Sequence, residues 1–311
     1  GVIVSGAFCG SNISPLSGTT NLAASVGEIS IYKHIKSLLT TDIPAWAICL
    51  ILYTFLGLNS KNVSLGAVHQ MMAGLQNGFW ISGWALLPVL LLIVLAIFQV
   101  PAIPSLGLGS LFAVVLGWIH APKTSLTTIT NTIMTGYVSH TGDKTIDTLL
   151  SKGGISSMLT SLALIIFALA LGGLLIKFNI ISAIINHLTG IVKTPGRLAF
   201  STALTCIGVN LLVGEHYLAI ILPGQSFLPS FDKLGLKRVD LTRILNDAGA
   251  AVNAIVPWSV SGVFIASTLQ INPLNFIPWA FFPFFVTILT IIAGMLVKVP
   301  IKSPAANLAT E

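Results

Sequence analysis

Charge is scarce in this chain. Only 8% of its 311 residues are Asp, Glu, Lys or Arg, while 54% are hydrophobic, and the mean hydropathy is +0.93. A soluble domain carries about a quarter charged residues, so this sequence cannot cover a globule with solvated side chains. Familiar catalytic motifs are missing as well. There is no G-x-x-x-x-G-K-[ST] phosphate loop and no His-Glu-x-x-His, and none of the Ser-Gly pairs at 5–6, 17–18, 82–83 and 261–262 completes G-x-S-G. These absences argue against ATP drive within the chain and against a membrane protease. An enzyme is not expected, nor a cofactor. Cys9, Cys49 and Cys206 stand apart in apolar surroundings without metal-ligand spacing and read as inert thiols. The formal charge of +6 does not point to nucleic acid, because the 15 Lys and Arg fall mostly between apolar runs.

What is present is a succession of apolar windows of the roughly 20-residue length that a membrane span requires. Spans read at 43–58, 79–100, 105–119, 156–176, 198–222 and 276–297. The expected fold is an all-α integral membrane protein, a polytopic helical bundle with discontinuous or re-entrant helices. Residues 28–42, with Lys33, His34 and Lys36, read as an amphipathic connection, and 227–238 as a polar one. The Thr- and Ser-rich stretch 120–155 is either an interfacial helix pair or an extramembrane connection, and 180–192 is a short interfacial run. Asp240 has the character of a helix N-cap. The G-x-x-x-G spacings at Gly6–Gly10 and Gly74–Gly78 carry little weight in a helical membrane protein. Val2 to Cys9 reads as the end of a helix already under way. A single transmembrane domain over 1–311 that lacks its N-terminal portion is therefore expected, with a polar tail at 298–311.

Three polar interruptions carry the functional signal: 10–21, 210–217 and 246–259. Irregular backbone survives at membrane depth only where it is buried in protein or lines a cavity. Such breaks point to the binding site of a secondary transporter, where freed carbonyls and half-helix ends meet an ion or substrate; the alternative is a loop reaching the interface. Glu215 lies within an apolar run and is placed to exchange a proton or hold a cation, unless it pairs with His216 or a loop lysine. Asp247 is an ion ligand or the i,i+4 partner of Arg243. Asn246 and Asn253 flank it and offer neutral oxygens. His216 is a proton-linked candidate, whereas His69, His120, His140 and His187 stand near span ends.

These residues are also familiar as a set. Gly6-Ala7-Phe8, then Ser14-Pro15-Leu16-Ser17 and Thr19-Thr20-Asn21-Leu22-Ala23, resemble the NhaC family of Na+/H+ antiporters. Gly136-Tyr137-Val138, Gly153-Gly154, Gly214 with Tyr217-Leu218, Leu222-Pro223-Gly224, Asp247 with Gly249, and Pro257-Trp258 continue the match in order. The resemblance implies a multi-pass antiporter of the bacterial cytoplasmic (inner) membrane, working by alternating access and exchanging Na+ for H+. It also implies relatives that exchange organic acids such as malate and lactate. Glu215 and Asp247 would titrate and bind the coupling ion, with Ser14, Ser17, Thr19, Thr20, Asn21 and Asn253 as neutral ligands. No metal beyond Na+ is implied. The family pattern carries acids where this chain has Ser11, Gly18 and Asn246, and a lysine where it has Asn12. Three carboxylates are therefore absent where charge would offset the dehydration of Na+. That keeps two other readings open: an organic-acid or amino-acid exchanger, and a truncated membrane protein that transports nothing alone.

Overall fold

A computed structural model describes residues 1–58, 72, 82–122, 124–140, 146–147, 150–151, 153–180, 183, 194–269 and 271–297. Among the described residues every regular element is helical. Among these residues three helices are long and apolar enough to cross a membrane, and up to five if each of two bent pairs counts as one. The chain divides into two compact units, Gly1–Leu52 with Ala168–Glu311, and Tyr53–Phe167.

The first unit opens with α1 (Val2–Ile13), α2 (Gly18–Val26) and α3 (Ile31–Leu58). The break after α1 begins at Ser14, not at Gly10: helix continues through Ser11 and Asn12. Pro15 sets the limit, since the residue before a proline is pushed out of the helical region, and Ser14 is extended. The expected connection at 28–42 is a second correction. From Ile31 it is the first half of α3, which runs on through Pro44. Its buried positions His34, Leu38, Thr41, Asp42, Ala45 and Cys49 recur at three- and four-residue steps, the spacing of one helix face.

The expected span at 198–222 is two helices. α8 (Pro195–Val213) ends at Gly214, whose φ of 74° is left-handed, and α9 (His216–Lys233) starts two residues later. That conformation is open to glycine and costs other residues. α9 absorbs most of the expected polar connection, passing through Pro223 and Pro229 with Phe227 and Phe231 buried. Pro223 cannot donate to the carbonyl of Ala219. The chain at Gly249 approaches that carbonyl instead, so closely that a methyl on Gly249 would lie 3.0 Å from it. α2 and α9 run side by side in the same direction, Gly18 beside Tyr217 and Val26 beside Gly224.

α10 (Arg238–Ile244) has Lys237, not Asp240, as its N-cap; Asp240 sits in the first turn. The helix then widens into a π turn at Leu245–Ala250, tightens into a 3-10 turn at Ala251–Ile255, and breaks before α11 (Val260–Leu269), which is bent by 44° from it. A short α12 (Pro273–Phe276) precedes α13 (Phe281–Leu296), with a second bend of 50°. The core between α8, α9, α10 and the π turn packs Leu198, Ala203, Cys206, Ala219, Ile220, Leu241, Ile244 and Leu245.

In the second unit, α4 (Leu87–Ile97) packs on α5 (Ala102–His120), and α6 (Leu126–Thr135) follows with Ser125 as N-cap. Among its described residues the polar stretch supplies the ten-residue α6, then non-helical chain over 136–140, with helix again at 146–147. There the Ser139 hydroxyl donates to Asp147 at 2.8 Å. α7 (Ile155–Lys177) closes that unit and continues into the first. His69, His187, Gly74–Gly78, most of 180–192 and the tail at 298–311 lie outside the described residues.

Candidate functional site

Asp247 stands in the π turn and is fully buried. Such a wide turn in an α-helix often marks a functional position. Its side chain does not pair with Arg243. The guanidinium turns the other way, Nη2 lying 3.1 Å from Asp240. Asp247 instead receives the Thr41 hydroxyl at 2.8 Å on Oδ2 and the Asn12 amide at 3.1 Å on Oδ1. The same Asn12 nitrogen lies 3.4 Å from Oδ1 of Asp42, also buried, whose Oδ2 has no partner among the described residues. One neutral amide therefore joins two buried carboxylates from α3 and the π turn. Asn12 and Thr41 bring no positive charge, and buried ionised groups require compensation. The arrangement suits small hard cations or protons, which carboxylate oxygens hold.

Backbone breaks frame the pair. Carbonyls of the widened turn are taken up by side chains: Thr287 lies 2.9 Å from the Asp247 oxygen, and Asn210 donates to Gly249 at 2.6 Å. Thr20 secures the end of α1, its hydroxyl 3.1 and 3.0 Å from the Ser11 and Asn12 carbonyls. Asn21 does the same for the break itself, donating to Pro15 and Ser17 at 2.7 and 2.8 Å. Ser14 accepts from the Leu16 amide, while Ser11, Ser17 and Thr19 form a hydroxyl row at 3.2 and 3.0 Å. Ser14, Thr20 and Asn21 thus shape the loop, and Ser17 and Thr19 line it.

Glu215 and Asn253 belong to the second break. The Glu215 carboxylate is fully buried at the N-terminus of α9, where Oε2 accepts the Leu218 amide at 3.0 Å and Oε1 lies 3.6 Å from His216 Nδ1. That is the geometry of an N-cap, favourable for an acid at the positive end of a helix. Asn253 donates to Asn210 and to the Gly214 carbonyl at 2.8 and 3.2 Å and accepts from the Ser261 amide at 3.0 Å. It ties the 3-10 turn to the hairpin between α8 and α9. Trp258 adds a bond from its indole to the Leu211 carbonyl at 2.9 Å. Replacing Glu215 with Ala is expected to destabilise the protein by about 1 kcal/mol, the usual worth of a cap. Gln keeps an oxygen for Leu218 and should cost less; thermal unfolding of both variants in detergent checks this. A Gln variant of unchanged stability and no transport would return Glu215 to the ion pathway.

Residues 6–297 match the Na+/H+ antiporter family. The chain belongs to that family. It is 37% identical over 300 residues to the Na+/H+ antiporter NhaC of Bacillus subtilis, covering 96% of this chain and 66% of that protein. It is 36% identical to the NhaC of Alkalihalophilus pseudofirmus, over 95% of this chain and 64% of the relative. A third relative, at 33% identity, is the malate-2H+/Na+-lactate antiporter of Bacillus subtilis, with 94% of this chain and 63% of the relative covered. The chain thus spans a little under two thirds of the length of these curated relatives. No solved structure matches it. Like its relatives' family, it is a multi-pass membrane protein.

Sequence reasoning did not mark Asp42, Thr41 or Asn12 as the neighbours of Asp247. Asp42 looked like the last residue of a connection because Lys33 and Lys36 precede it and Pro44 follows. The recoverable signal was the buried-face spacing from His34 through Cys49, which puts Asp42 inside.

Proposed function

We propose that the chain carries the cation site of a Na+/H+ antiporter, built from Asp42 and Asp247 with Asn12 and Thr41 as neutral supports. The observation that carries this reading is the single Asn12 amide shared by two buried carboxylates beside a helix break. A carboxylate that gives up its proton gains affinity for a cation, and the returning proton displaces the cation. Competition for the same oxygens couples the two flows. Segments from α1, α3 and the π turn meet there, so access from one side or the other follows from their relative movement, as in transporters built on broken helices. Each charge moved through the membrane potential is worth ~2.3 kcal/mol per 100 mV.

The test uses the full-length protein in everted vesicles, with an acid-quenched dye reporting proton movement when Na+ is added. Wild type is expected to dequench; Asp42→Asn is expected to lose most of the Na+-dependent signal at equal abundance. Full activity in that variant would remove Asp42 from the site. A second reading, exchange of organic acids, is favoured by the Ser11–Ser17–Thr19 hydroxyl row and by the malate and lactate relative. Uptake of labelled malate or lactate without Na+-driven proton movement would select it.

A further inference from the structure

We propose that Arg243 is a built-in rival of the transported cation, its guanidinium exchanging between Asp240 and Asp247 and so setting the site's apparent affinity. The proposal rests on the Asp42–Asp247 reading. Arg243 is only 6% exposed, too buried to be a solvated surface charge. Its one ionic contact among the described residues is Asp240, three residues before it and itself at the outer edge, with a side chain 14% exposed. Asp247 lies four residues after it, fully interior. Arg243 thus lies along the helix between an outer carboxylate, which its guanidinium contacts, and an inner one four residues on.

Little else holds it in place. Nη1 makes only long contacts, 3.4 Å to Ser37 and 3.5 Å to Thr40, and Nε has no partner among the described residues. Thr40 adjoins Thr41, the residue bonded to Asp247, so both groups lie against one turn of α3. The facing groups are these hydroxyls from α3, His34 one or two turns earlier beside Thr242 at 2.9 Å, and the two aspartates. No second cation in this set neutralises Asp247. With the carboxylates unloaded, the guanidinium is drawn inward; with a cation bound, like charge drives it back to Asp240. Each turnover then releases the cation against a competing internal charge.

The two partners of this ion pair must act with opposite sign. Removing the rival, Arg243→Gln, is expected to lower the KM for Na+ several-fold and to lower kcat as release slows. Freeing the rival from its outer partner, Asp240→Asn, is expected to raise the KM for Na+ several-fold. Both are measured with the full-length protein in proteoliposomes. Na+-dependent thermal stabilisation of the purified protein gives the same ordering of affinities if transport is lost. A pair that merely braces α10 would move both variants in the same direction, or leave both KM values alone; either result overturns the proposal. Asp247→Asn is run alongside. If it transports normally, the site reading itself has failed; if it is inactive while the opposite shifts are absent, only the role of Arg243 has.

Discussion

Asp247→Asn is expected to abolish Na+-driven proton movement, with kcat/KM down at least about a hundredfold. The substitution keeps the volume and the hydrogen-bonding partners Thr41 and Asn12 in reach, so protein should still accumulate in the membrane. What it removes is one of two negative charges in a buried site. The bound cation loses one of its two compensating carboxylates, and leaving a buried charge without its partner costs several kcal/mol; each 1.4 kcal/mol is tenfold in binding. Initial-rate measurements over a range of Na+ concentrations in everted vesicles check this. Retention of more than a tenth of the wild-type rate would place the coupling ion elsewhere.

Gly262→Val is expected to lower stability by about 3 kcal/mol. A side chain at Gly262 would overlap the carbonyl of Val256 and press on the Pro257 oxygen and the Ser259 hydroxyl. Those atoms belong to the break itself, whose Ser259 hydroxyl bonds the Asn253 carbonyl and receives the Gly262 amide at 2.9 Å. Overpacking costs about 1–3 kcal/mol where side chains can yield, and here the obstacle is backbone. The variant is expected to be poorly retained in the membrane and to unfold at a clearly lower temperature in detergent. Gly6→Val is the control, since nothing lies within 4 Å of a methyl there.

Composition pointed this chain to a bilayer, because 8% charged residues is about a third of what a soluble domain usually carries. Breaks within 10–21 and 246–259 were legible because glycine, proline and hydroxyl residues interrupt apolar runs there, and the structure places them after Ile13 and around Val256–Ser259. Boundaries were less legible. Helix runs to Ile13 and through Pro44 because tertiary packing of a buried face outweighs local propensity. Glu215 shows the limit of burial as a clue. The sequence marks it as interior, but an interior acid at a helix start is satisfied by amides, and that depends on Gly214 turning left-handed. Asn253 was expected as a ligand, and its side chain is committed to Asn210, Gly214 and Ser261. The pairing of Asp42 with Asp247 spans 205 positions of sequence and follows only from how α1, α3 and the π turn meet.

The π turn at Leu245–Ala250 also acts as a phase adjuster. An ordinary helix advances about 100° per residue, whereas a π turn spreads its residues over a wider circle. Asp247 inside it is aimed at α1 and α3, while Asn253 beyond it is aimed at the α8–α9 hairpin. One stretch of chain thereby addresses two partners in different directions. A change that shortened the wide turn to α-helical pitch would rotate everything after it, and one of those two engagements would have to be released. The same backbone that presents the carboxylate thus links its orientation to the grip on the neighbouring hairpin, as a key's bit is fixed relative to its bow.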